Sequence, residues 1–137
     1  MADAPQIPDE AEVRARWGGF AWTPENASQA EKVIARYPAG RQQSAVMPLL
    51  DLAQRQVGAE TNTQGWLPVP VIEYVAAQLD MPYMRAYEVA TFYSLFHIGP
   101  CGRHKVSICT NISCWLNGAD QLLEHVEHKL GIHAGES

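Results

Sequence analysis

Three cysteines carry most of the chemistry open to this sequence: Cys101, Cys109 and Cys114. Cys109 and Cys114 form a C-x4-C pair, with Thr110, Asn111, Ile112 and Ser113 between them. A thiolate is a soft, charged ligand that suits iron–sulfur or zinc sites. This spacing can bring two thiolates to one iron of a [2Fe–2S] cluster, and two more ligands must then come from elsewhere. The loop between the cysteines offers backbone N–H groups and short hydroxyls, which stabilise negative charge on sulfur. The spacing alone leaves two other readings open, a zinc site and a pair of inert buried thiols.

Cys101 reads as a free thiol. An extended stretch separates it from Cys109, and at roughly 3.3 Å of rise per residue the two sulfurs stand far apart. A zinc site built from Cys101, His104, Cys109 and Cys114 requires the chain to fold back. His125, His128 and His133 lie on or after the last expected helix, where a solvated surface is the plain explanation. Asp51, Glu73 and Glu88 sit at no catalytic spacing. There is no glycine-rich nucleotide loop and no Ser/His/Asp pattern, so the chain alone is expected to catalyse nothing.

The elements that must position the pair are mostly helical. Residues 1–22 are rich in Pro, Asp and Glu and read as an extended arm, with Trp17, Phe20 and Trp22 to dock it on its own bundle or on a partner. Thr23-Pro24-Glu25 has the form of a helix start, with a hydroxyl cap, Pro at the first position and an acid in the first turn. That helix should run to about Arg36. A second, over about 42–57, carries the stripe Val46, Leu49, Leu50, Ala53 and Val57, with Pro48 in its first turn or at a kink. A polar loop follows from Gly58 to Gly65. A third helix is expected over about 68–79 and a fourth over about 82–96. Lys105–Cys109 alternates like a short strand, and residues 110–118 read as loop. Ala119, Leu122, Leu123, Val126 and Leu130 describe an amphipathic helix closed by Gly131. A lone strand cannot form a sheet by itself.

Composition narrows the class. Hydrophobic residues make up 47% of the chain and charged residues 18%, enough for a core and unlike a disordered segment. A net charge of −5 without a basic stripe excludes nucleic acid as an expected partner. No apolar run is long enough to span a bilayer. The start lacks a basic region followed by an apolar stretch, and Asp3, Asp9, Glu10 and Glu12 argue against a mitochondrial leader. A reducing, cytoplasmic setting is therefore expected, where cysteines serve metals or redox chemistry and not a disulfide framework.

Several stretches together resemble the thioredoxin-like [2Fe–2S] subunit of respiratory NADH:quinone oxidoreductases, the E-type subunit of complex I. They are Arg36-Tyr37-Pro38-Ala39-Gly40-Arg41-Gln42-Gln43-Ser44-Ala45, then Ala53-Gln54, Gly65-Trp66-Leu67, and the run from Glu88 to Phe96. The cysteine pair lies in a further one, Ile108-Cys109-Thr110-Asn111-Ile112-Ser113-Cys114-Trp115-Leu116-Asn117-Gly118-Ala119-Asp120. The resemblance covers about residues 30–133.

The resemblance implies an α+β chain, with a helical bundle over 23–98 after the arm of 1–22 and an incomplete thioredoxin-like α/β domain over 99–137. It makes Cys109 and Cys114 the first two ligands of a [2Fe–2S] cluster. The family's later C-x3-C pair would fall beyond Ser137, so the sequence is expected to be C-terminally truncated. It further implies an electron-transfer role beside a flavoprotein that holds FMN and NADH, contacts with other peripheral-arm subunits, and a location on the inner face of the cell membrane. Equivalent subunits serve NAD-dependent formate dehydrogenases and NAD-reducing hydrogenases, and a cluster-free helical module docking on the flavoprotein is a further alternative. Two departures from the family pattern stand out: residues 59–64 read as an insertion, and Cys101 replaces an aliphatic residue.

Overall fold

The computed structural model describes residues 8–136, and the part of the expected arm in residues 1–7 lies outside them. Among the described residues the chain is helical. It runs α1 (Glu10–Trp17), α2 (Pro24–Ile34), a 3-10 turn (Gln42–Ala45), α3 (Val46–Thr61), α4 (Val69–Gln78), α5 (Tyr83–Phe92), α6 (Ile112–Leu116) and α7 (Ala119–Leu130).

Helix α3 is the hub, packed against α2, α4 and α5. Its stripe of Leu49, Leu50, Ala53 and Val57 is fully buried, in one core with Leu67, Val71, Ile72 and Val75 from the α4 region. Burying such side chains supplies about 1.5–3 kcal/mol each over leaving them in water. Pro48 is the third residue of α3, within the first turn, where its missing N–H removes no intrahelical bond. Thr23 caps α2 by accepting the Asn26 N–H, in line with its sequence signal.

Two glutamines interrupt the apolar face of α3, and both are buried and bonded. Gln56 accepts the Thr23 N–H and an Asn26 Nδ2–H and donates to the Ala21 carbonyl, which fastens the start of α2. Gln54 donates to the Leu95 carbonyl at 3.0 Å and accepts the His97 N–H at 2.8 Å. Among the described residues no buried side-chain N or O lacks a partner.

Four expectations need correction. The arm is not extended over its described part: residues 10–17 form α1, which buries Val13 and Trp17 in the bundle's own core. Arg14 adds two contacts to the Glu73 carboxylate at 3.2 Å each. The polar loop is shorter than expected, because α3 continues to Thr61 and ends at Asn62 in the left-handed region. Helix α5 stops at Phe92 rather than near Phe96, because Gln54 takes the Leu95 carbonyl and the His97 N–H and the chain leaves the helix.

The fourth correction concerns the strand. Residues 105–109 form none, and no strand occurs among the described residues, so the β part of the α+β expectation is not met there. The physical reason is that a strand exists only against a neighbour that takes its N–H and C=O groups. The segment expected to be loop after it contains the short helix α6, which packs on α7. Neither α6 nor α7 packs on any other helix among the described residues.

Replacing Gln54 by Leu keeps the size of the side chain and removes both of its hydrogen bonds. It leaves the Leu95 carbonyl and the His97 N–H unpaired in a part-buried site, which should cost roughly 2–4 kcal/mol. Urea unfolding of the Gln54→Leu chain measures this directly. A loss below about 0.5 kcal/mol would mean that water replaces the clamp.

Candidate metal centre

The segment that leads to the cysteines is anchored on the bundle up to Arg103. The Leu67 N–H bonds the His97 carbonyl at 2.7 Å, and the Gln64 N–H bonds the Gly102 carbonyl at 3.1 Å. The Gln64 side chain donates to the Arg103 carbonyl at 3.0 Å. Residues 64–67 thus lie along residues 97–103. Gly65 is essential to this approach. Its φ is +79°, and a Cβ there would stand 2.0 Å from the Gln54 backbone oxygen.

Cys101 belongs to this anchored stretch. Its thiol donates to the Gly65 carbonyl at 3.0 Å, and burial pushes its pKa above the ordinary thiol value. It is a half-buried packing thiol lodged near Trp17 and Trp66. From His104 to Thr110 no hydrogen bond reaches the bundle among the described residues.

Cys109 and Cys114 come together at the end of that tether. Cys109 precedes α6, and Cys114 is the third residue of α6. The Asn111 backbone N–H points at the Cys109 sulfur and holds its pKa below the ordinary thiol range, and the neighbouring Cys114 thiol adds to the effect. Cys114 shifts the other way, because its hydrogen bond and charge interaction with Cys109 disfavour a second thiolate beside the first. Cys109 is exposed and Cys114 half-exposed.

The scaffold around the pair is local. The Asn111 side chain accepts the Ile112 N–H, and Asn117 donates to the Ser113 carbonyl. The Trp115 indole N–H donates to Asp120 at 2.6 Å and ties α6 to α7. Gly118 (φ +89°) makes the turn between them.

The residues fit part of an iron–sulfur site. Two converging thiols, one with its thiolate favoured by a backbone N–H, match the donors that one iron of a [2Fe–2S] cluster takes, half of the four it needs. Among the described residues no three His, Cys, Asp or Glu side chains converge on a metal position.

Residues 30–137 match the thioredoxin-like [2Fe-2S] ferredoxin family. The chain belongs to this family. It is 52% identical over 113 residues to the E subunit of the NADH-quinone oxidoreductase of Rickettsia bellii, covering 82% of this chain and 64% of that protein. It is 51% identical over 118 residues to the protein of the same name in Rickettsia felis, covering 86% and 67%. It is 40% identical over 118 residues to the mitochondrial NADH dehydrogenase [ubiquinone] flavoprotein 2 of Dictyostelium discoideum, covering 86% and 45%. The chain therefore spans about two thirds, or less, of the length of the relatives it matches.

The positioning residues of this family member were only partly visible in its sequence. Gln54 stands at helical spacing from Leu50 and Val57, and a polar residue inside an apolar stripe is the available signal for a buried clamp. Gln64 carried no such signal, because its role depends on a segment nearly forty residues later coming alongside.

Two outcomes follow from the ionisation pattern. Near neutral pH the metal-free chain should be alkylated by iodoacetamide at Cys109 at least about tenfold faster than at Cys101, because the reactive species is the accessible thiolate. Peptide mass spectrometry over a time course reads the ratio, and equal rates would remove the distinction between the two environments.

The second concerns His97, whose pKa is lowered by burial and then by the nearby charge of Lys105. The unfolded chain, with His near its ordinary value of about 6.5, takes up a proton before the folded chain does. The resulting stability is complete above that value and is lost as pH falls through the folded pKa. The His97→Gln chain should accordingly lose less stability than the wild type between about pH 7 and pH 5. Denaturant midpoints across that range test this, and parallel curves would exclude the contribution.

Proposed function

We propose that this chain is an electron-transfer subunit of an NADH:quinone oxidoreductase, with Cys109 and Cys114 holding one iron of a [2Fe–2S] cluster beside an FMN- and NADH-binding flavoprotein. The observation that carries the reading is the convergence of these two thiols on a loop within the stretch that matches the [2Fe-2S] family. The names of the relatives, subunits of NADH-quinone oxidoreductases and of a mitochondrial NADH dehydrogenase, support the host complex.

In this reading the remaining two ligands come from chain beyond the described residues. The part after about residue 99 then belongs to a thioredoxin-like α/β domain. A bound [2Fe–2S] cluster supplies storage for a single electron. The chain's own contribution is to fix the sulfur pair. The Asn111 N–H favours negative charge on Cys109, and a network from Asn111 to Asp120 keeps the loop in shape. In this reading the substrate chemistry belongs to the flavoprotein.

The proposed partner contact has a physical basis as well. Phe92 at the end of α5 is 80% exposed, beside Tyr93 and Leu95, which are also exposed. Clustered exposed aromatics and aliphatics mark an interaction surface. No described helix is long and apolar enough to cross a membrane, so attachment at the inner face of the cell membrane would pass through the other subunits of the complex.

In the protein carrying its complete set of ligands, Cys109→Ser or Cys114→Ser should abolish the visible absorption and the EPR signal of the reduced [2Fe–2S] cluster. Cys101→Ser should leave both intact. A cluster that survives either of the first two changes, or is lost with the third, would overturn the assignment.

A further inference from the structure

A group of cationic side chains lies away from the cysteines. Arg55 on α3 and the pair Arg103-His104 line an open cleft of about 550 Å³, with Gly58, Asn62 and Gln64 forming its base. No carboxylate lines it, although the chain as a whole carries a net charge of −5. Arg55 is held by a single contact, Nε to Asp51 Oδ2 at 3.0 Å, which steadies the guanidinium and leaves its terminal nitrogens without a partner among the described residues. The side chains of Arg103 and His104 likewise make no hydrogen bond or ion pair among the described residues.

Basic residues near a helix C-terminus can simply offset its partial negative charge. That explanation covers Arg55 poorly, because it lies almost two turns before the end of α3. It does not cover Arg103, which arrives from another segment. At the helix end itself, the Gly58 carbonyl already accepts the Asn62 and Thr63 N–H groups. The two walls are also fixed relative to each other. Gln64 bonds the Gly102 carbonyl through its N–H and the Arg103 carbonyl through its side chain. Asn62 and Gln64 of the cleft belong to the stretch 59–64 that reads as an insertion in the sequence.

We propose that this cleft binds a divalent oxyanion of the phosphate class. The free terminal nitrogens of Arg55, whose Nε is already paired with Asp51, face the guanidinium of Arg103 and the His104 ring across the cleft, and together they offer more donors than a single carboxylate uses. Guanidinium forks also match phosphate oxygens in pairs. The volume exceeds what one phosphate fills, so the anion is either free phosphate or pyrophosphate, or the phosphate end of a nucleotide. The cleft is open to solvent, and binding will be weak and sensitive to salt.

The test is an amide-shift titration of the isotope-labelled 137-residue chain with inorganic pyrophosphate at low ionic strength. Gly58, Asn62 and Gln64 should shift saturably. Arg103→Gln and Arg55→Gln should each weaken binding at least about tenfold, the scale of one lost charge-assisted hydrogen bond. Lys32→Gln, on α2 and away from the cleft, should leave it unchanged. A parallel titration with ADP separates the sources: equal affinity indicates a site for phosphate alone, and tighter binding with new shifts indicates a nucleotide. Shifts that never saturate, or equal weakening by Lys32→Gln and Arg103→Gln, would overturn the proposal in favour of diffuse attraction.

Discussion

The placement of everything after α5 depends on one side chain amide. Gln54 donates to the Leu95 carbonyl and accepts the His97 N–H, because a neutral amide offers a donor and an acceptor at once to the same departing stretch of backbone. A carboxylate there would meet the Leu95 carbonyl with like partial charge, and an apolar group would satisfy neither. The same turn of α3 receives Gly65 so closely that no side chain fits between them. The clamp and the close approach together bring residues 64–67 alongside 97–103, and the hydrogen bonds from Leu67 and Gln64 follow from that alignment. The bundle core supplies the bulk of the stabilising energy, but it is non-directional. Direction comes from these few polar contacts.

The same logic separates what the sequence disclosed from what it did not. The helices α2, α3, α4, α5 and α7 were legible because each carries a local signal: a capped start at Thr23-Pro24, the stripe from Leu49 to Val57, a terminal Gly131. Their ends were less legible where a distant group intervenes. Helix α5 would run on by its own periodicity, and it is Gln54, some forty residues away, that ends it. Helix α1 hid because its apolar residues are few and its burial comes from Val13 and Trp17 meeting α4. Alternation at 105–109 is a statement about side chains, whereas a strand is a statement about paired backbones, and the first does not entail the second. Helix α6 is five residues long, too short to show a period.

The three thiols illustrate how position overrides residue type. Cys101 lies within the hydrogen-bonded stretch, where burial keeps it protonated and its sulfur donates to a carbonyl. Cys109, eight residues on, lies past the last anchor, where a backbone N–H favours the thiolate. Spacing in the sequence set the pair of Cys109 and Cys114 apart from Cys101, and the two environments differ in the fold as well. The local partners of the pair, the Asn111 N–H and the tie from Trp115 to Asp120, required the loop's folded shape.

Among the described residues that loop packs only on its own two helices. Ile112 is 74% and Trp115 54% exposed, and Leu122 is exposed as well, so α6 and α7 bury little apolar surface of their own. A metal that binds only the folded arrangement of such a loop shifts the folding equilibrium in its favour. The two thiolates also repel each other while uncompensated, as the upward shift at Cys114 reflects. A cation shared between them converts that repulsion into attraction. In the proposed reading the bundle's packing needs no ligand, whereas the cysteine loop would gain stability by holding one.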